Sequence, residues 1–110
     1  MLIATRVLKL HESGGEREIP VRIFAPEQSG RDWGCRSIIG WPDGEQEMTL
    51  YGIDGAQALV HTLQMIGARL YTSDYHESGA LYWDEPGQGY GFPVMANIRD
   101  LLIGSDKKFF

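Results

Sequence analysis

Within the first fifty positions apolar and polar residues alternate at period two through Ile19–Ala25, between stretches that read as further strands, and over the next twenty the apolar residues recur at helical spacing. Alternation predicts strands with one buried face, and the 3.6-residue spacing predicts an amphipathic helix. Residues 2–10 read as a first strand, followed by turn chemistry at Ser13, Gly14 and Gly15. Ile19, Val21, Ile23 and Ala25 then alternate with Glu18, Pro20 and Arg22 as a second strand. Pro20 has no N–H to donate, which places this strand at an edge or near the limit of its pairing. After a polar loop at 26–32, a third strand runs through Trp33, Cys35, Ser37 and Ile39. Trp41-Pro42-Asp43-Gly44 is strong turn chemistry, and it leads to a fourth strand at 46–51.

Residues 51–71, YGIDGAQALVHTLQMIGARLY, carry the clearest element. Asp54 precedes Gln57 by three positions, a carboxylate variant of the capping box at the positive end of the helix dipole. Asp54 is therefore read as a structural cap. Ala56, Leu59, Val60, Leu63, Ile66, Gly67 and Leu70 fall on one stripe and are expected to face the sheet. The opposite face reads Gln57, Ala58, His61, Thr62, Gln64, Met65, Ala68 and Arg69, with Arg69 its only ionised side chain. Solvated helices usually carry more charge. That face is therefore expected to be covered, by the C-terminal segment or by a second protomer, with His61, Met65 and Arg69 as interface candidates. No second titratable side chain stands one turn from His61, so it is read as a contact residue and not as a ligand or general base.

Beyond the helix the pattern weakens. Residues 80–83 suggest a fifth strand, Glu85-Pro86-Gly87 a turn, and 97–103 a short helix stopped by Gly104. Lys107-Lys108-Phe109-Phe110 is either frayed or docked, the two phenylalanines favouring docking. Gly87, Gly89 and Gly91 alternate with Gln88, Tyr90 and Phe92, an arrangement that lets a ligand or another backbone approach closely. The Gly-Lys-Ser/Thr ending of a phosphate loop and the GxGxxG spacing are both missing. Segment 71–92 crowds Tyr71, Tyr75, Tyr82, Trp83, Tyr90 and Phe92 among Asp74, Glu77, Asp84 and Glu85, without a lysine or arginine. Tyr75, His76, Tyr82, Trp83, Asp84 and Tyr90 are the ligand-binding candidates, suited to a cationic ligand, a sugar or a basic protein. The alternative is that half of these aromatics are core and the acids are solvated loop residues.

No catalytic residue is assigned. Asp74, His76 and Glu77 are too close along the chain to converge as metal ligands, and Asp84 and Glu85 would point to opposite sides of an extended strand. Cys35 lies among apolar strand neighbours, where a thiol is buried and inert. No metal and no cofactor is expected.

Composition then sets the class. The chain has 110 residues and 43% hydrophobic residues, the size and make-up of one globular domain spanning 1–110. A single cysteine excludes an intrachain disulfide and fits a reducing cytoplasm. The start of the chain is too interrupted by Arg6 and Lys9 for a signal peptide, and no apolar run could span a membrane. Net charge is −5, concentrated in residues 37–98, where Arg69 stands against eight acids. Nucleic-acid binding requires a cationic footprint, and this distribution argues against it.

Tyr51-Gly52-Ile53-Asp54, Gln57-Ala58-Leu59, Leu63, Ile66-Gly67 and Leu70 resemble the helix signature of a family of small uncharacterised bacterial domains. In those domains a Gly-Val/Ile-Asp tripeptide leads a Gln-Ala-Leu helix after a strand meander. The resemblance covers about two thirds of the chain and implies an α+β fold: an antiparallel meander of four to five strands on one main helix at about 54–71. It implies bacterial origin and brings no activity to carry over. Two functions remain open. One is a non-catalytic interaction or accessory module, self-associating as a homodimer or binding a protein partner. The other is a small-ligand binder or unrecognised enzyme using segment 71–92.

Overall fold

The computed structural model describes residues 1–110. Its first half is the expected meander. Strand β1 (Leu2–Glu12) pairs along its length with β2 (Gly15–Phe24), and β4 (Asp32–Trp41) with β5 (Gly44–Gly52) across the Pro42-Asp43 turn. Pairing of Val21–Ile23 with Ser37–Ile39 joins the two hairpins antiparallel. Far along the other edge of β1, β6 (Leu81–Tyr82) pairs with Lys9 and Leu10.

One expectation about the strands changes, and the position of Pro20 is settled between its two alternatives. The polar loop at 26–32 contains a short strand, β3 (Glu27–Ser29), paired with Asp32–Gly34 of β4. All three of its residues are exposed, so no buried face left a periodic mark in the sequence. β5 occupies the other edge of β4, so β3 prolongs the line of β2 with its register displaced by one residue. The strand holding Pro20 is central, yet its pairing with β4 begins only at Val21, which accommodates the missing donor.

One face of the sheet is buried: Leu8, Leu10, Ile19, Val21, Ile23, Cys35 and Ile39. The other carries the cross-strand ion pairs Arg22–Glu45 (3.5 Å) and Arg36–Glu47 (3.0 Å), the polar side of the period-two alternation. Helix α1 (Gly55–Tyr71) lies on the buried face over β4 and β5. Its start is built as read: Asp54 Oδ1 accepts from Gln57 N (2.8 Å), and Gln57 Oε1 accepts from Ile53 N (2.8 Å). Asp54→Ala is expected to lower stability by about 1 kcal/mol in chemical denaturation, with no change contradicting a capping role.

The helix is rolled relative to the expected stripe. Ala58, Thr62 and Ala68 are buried along with Ile66, Gly67 and Leu70, while Ala56 is exposed and Val60 is 49% exposed. β5 turns into the helix so tightly that a Cβ on Gly52 would stand 2.5 Å from Ala58 N. Only small side chains fit beneath the helix there. Thr62 tolerates burial because Oγ1 donates within the chain, with Ala58 O at 2.9 Å and Cys35 O at 3.2 Å. Much of the low charge on the supposed outer face therefore reflects burial inside the same chain.

After α2 (Asp74–Glu77) and β6, the remaining chain forms a strap over the β1–β2 half of the sheet. Tyr90, Phe92, Val94 and Leu102 enter the same core as the strands. The helix expected at 97–103 is a 3-10 segment, Ala96–Leu101, and Gly104 is no stop: it opens a last helix, α3 (Gly104–Phe109). Gly104 has a φ of +54°, the left-handed conformation that redirects the chain between the two. No helix is long and apolar enough to cross a membrane.

Candidate functional site

The strap meets the sheet at Arg6. Parity along β1 puts Arg6 on the same face as Leu8 and Leu10, so a cation enters the side of the sheet that should be apolar. Its guanidinium carbon lies 4.0 Å from the centroid of Trp83 and 4.8 Å from that of Phe92. Nη1 donates to Tyr90 O (3.2 Å) and Gly91 O (2.7 Å). Burial pushes the pKa of the guanidinium down, and Asp106 pushes it back up. The segment that lacks cations in sequence thus receives one from β1, and a purely cationic ligand no longer follows from its composition.

The glycine loop is held by the second charge. Asp106, on α3, is 2% exposed. Its Oδ2 accepts from Tyr71 Oη (2.6 Å) and Tyr90 N (2.8 Å), and its Oδ1 accepts from Gly91 N (2.8 Å). Successive N–H groups converge because Gly89 and Gly91 have φ of +86° and +73°, forming a nest for an anion. Alternation with Gln88, Tyr90 and Phe92 suggests an extended segment, but the left-handed backbone at Gly89 and Gly91 makes it a curl. What approaches closely is a side chain of the same protein, since a Cβ on Gly89 would stand 2.4 Å from Asp106 Cγ.

The residues singled out from sequence divide between this centre and its surroundings. Tyr90 is 1% exposed and is core, as is Phe92. His76 Nδ1 lies 2.5 Å from Tyr90 Oη, and the imidazole packs edge-on against Tyr71. Trp83 is half-buried on Arg6, and Asp84 is exposed beside it with φ of +61°. Tyr75 and Tyr82 lie elsewhere: Tyr75 stacks on Trp41 at 5.0 Å and donates to Asp43 Oδ1 (3.0 Å), while Tyr82 donates to Glu16. On α1, His61 Nδ1 lies 2.9 Å from Tyr51 O, Met65 is half-buried and Arg69 is exposed. These three do not join the Arg6 centre. No group of three or more His, Cys, Asp or Glu side chains is placed to hold a metal ion.

Protonation follows from burial. The Tyr71 and Tyr90 hydroxyls are pushed well above the ordinary tyrosine value, first by desolvation, so both remain protonated donors. Burial holds His76 below its ordinary 6.5. The unfolded chain then takes up a proton before the folded one, so the contribution of neutral His76 is complete above 6.5 and is lost as pH falls through the depressed folded value. A fall in Tm between pH 7 and pH 5 that is shallower in His76→Phe is the expected result, and superimposable pH profiles would contradict it.

Around Arg6 the surface opens into two adjoining concavities. One, of about 390 Å³, is bordered by Arg6, Trp83, Asp84, Ser105 and Phe109. The other, of about 370 Å³, is bordered by Ile23, Leu63, Phe92 and Pro93. Both share Arg6, Gly91 and Phe110. Such volumes suit a small molecule. Sequence reasoning missed Arg6 and Asp106. Arg6 left a signal, a charge on the apolar parity of β1; Asp106, in a polar tail, left none.

No curated protein and no solved structure matches the chain. A family model described as "Domain of unknown function (DUF6968)" matches residues 4–94, which include Arg6, the capped helix and the whole glycine loop but not Asp106. With more than half its length matched, the chain belongs to the DUF6968 family.

Proposed function

We propose that this protein is a non-catalytic binding module of the bacterial cytoplasm that takes a small ligand in the cleft around Arg6. The observation that carries the reading is the half-buried guanidinium framed by Trp83 and Phe92, bordering both concavities without an ion-pair partner. Partly desolvated charge is costly, and a ligand of opposite sign relieves that cost. The strap supplies walls, and the nest around Asp106 fixes their position. The test is a fragment panel of small acids, amines and neutral aromatics, followed by amide chemical shifts of the full chain. Perturbations centred on Trp83, Gly91 and Phe110 support the reading. A panel without hits, or hits confined to the open sheet face, contradicts it.

A second reading, interaction with a protein partner or a second copy, is favoured by apolar side chains left exposed near the start of α1. Tyr51 is 56%, Ile53 77% and Val60 49% exposed. His61, hydrogen-bonded to Tyr51 O, lies beside this patch, with Met65 and Arg69 one and two turns further on. Light scattering across concentration and salt decides it: a dimer that dissociates in Val60→Glu supports self-association, and a monomer throughout contradicts it.

A further inference from the structure

Resting on the cleft reading, we infer that the ligand is an apolar monocarboxylate, its carboxylate seated on Arg6 and its hydrocarbon body lying between Ile23, Leu63, Phe92 and Pro93. The sign comes from the four arginines carried on strands, since the three off the sheet, Arg31, Arg69 and Arg99, make no ion pair either but are exposed to water. Arg17, Arg22 and Arg36, all on the sheet, each face a glutamate within 3.5 Å. Arg6, half-buried under Trp83 and Phe92, pairs with none. Both its hydrogen bonds within the chain leave from Nη1 and end on carbonyls, which satisfy donors without supplying negative charge.

Asp106 acts on Arg6 through space and does not pair with it. Its two oxygens already accept three hydrogen bonds. Trp83 and Phe92 take the region over the guanidinium, which leaves its in-plane edge for bonding. A planar fork of donors matches a carboxylate.

The remaining walls set the number of charges. The 370 Å³ lobe is bordered by Ala4, Ile23, Leu63, Phe92 and Pro93, and Arg6 has its only charged side chain. Beyond Arg6, the 390 Å³ lobe presents the exposed carboxylate of Asp84, which would repel a second anionic group. One carboxylate and one apolar body is the chemistry that satisfies both lobes.

Calorimetric titration of the full chain with decanoate, decanol and decylamine, below their aggregation limits, tests this. Decanoate is expected to bind at least about tenfold more tightly than either analogue, the gain of a charge-assisted pair. Arg6→Gln should erase that preference, and Leu63→Trp, which fills the apolar lobe without touching Arg6, should abolish decanoate binding. The comparison of decanoate with decanol on the unaltered chain decides the matter even if Arg6→Gln fails to fold. Equal binding of decanoate and decanol overturns the carboxylate assignment and leaves the cleft reading standing. Binding of none of the three overturns the assignment, and with an empty fragment panel it overturns the cleft reading as well.

Discussion

Replacing Asp106 with alanine is expected to cost about 3–5 kcal/mol, a large share of the stability of a domain this size. The change removes one acceptor group and strands three buried or half-buried donors, Tyr90 N, Gly91 N and Tyr71 Oη. Each orphaned donor costs roughly 1–3 kcal/mol before relaxation, so even partial rehydration leaves a substantial loss. Asp106→Asn discriminates between a need for bulk and a need for negative charge. Oδ1 and Oδ2 both accept from backbone N–H groups, so either orientation of an amide would point its NH2 at a donor. Asp106→Asn should therefore be nearly as damaging as Asp106→Ala. Thermal denaturation followed by circular dichroism reads this as a fall in Tm of more than roughly 10 °C for both variants. A conservative Asp106→Asn with native Tm would contradict the nest.

Gly67→Ala is the second large effect, and its sign runs against ordinary helix behaviour. In an exposed helix interior, exchanging glycine for alanine gains about 1 kcal/mol. Here a Cβ would stand 2.0 Å from Pro93 O and 3.1 Å from Val94 Cγ1, so the strap would have to leave the helix. Overpacking of this kind costs roughly 1–3 kcal/mol or more, which exceeds the propensity gain. The variant should unfold at lower denaturant than the parent. Gly55→Ala, where the nearest heavy atom is 3.5 Å away, should instead be neutral or slightly stabilising. Stabilisation by Gly67→Ala would show that the helix and strap are not in close contact.

The strands and the main helix were legible because their signals are local. Alternation in Ile19, Val21 and Ile23, the Pro42-Asp43 turn and the Asp54–Gln57 cap each act within a few residues, and the structure builds each of them. The roll of α1 was not legible. Hydrophobic periodicity ranks Val60 above Thr62, but the tight exit from β5 at Gly52 brings the Ala58 side of the helix against the sheet, and Thr62, one turn on, is carried inward with it. Segment 71–92 was found as a crowd of aromatics, and its division into core and surface was not: Tyr71 and Tyr90 are core, while Tyr75 and Tyr82 are tied to Asp43 and Glu16 on other elements. Those assignments depend on contacts 32 and 66 residues apart in sequence. The centre itself joins Arg6 to Tyr90 and Gly91 across 84 and 85 residues. No pattern within a local window carries such a pairing.

The C-terminal helix shows the same limit from the other side. Two terminal phenylalanines suggested docking, but its anchor is the polar residue between them and the glycine loop. A carboxylate in a run of charged and small residues reads as a solvated helix side chain. Only the curl of Gly89 and Gly91, more than a dozen residues upstream, makes it a buried ligand.

The claim on which the cleft depends is that one carboxylate in a backbone nest holds the strap in place, and native-state hydrogen exchange of the Tyr90 and Gly91 amides measures it most directly. Both amides are predicted to exchange as slowly as the paired amides of β1 and β2 in the unaltered chain, and to become faster by orders of magnitude in Asp106→Ala while the β4–β5 hairpin stays protected. Rapid exchange of Tyr90 and Gly91 in the unaltered chain, at rates of an exposed loop, would contradict it.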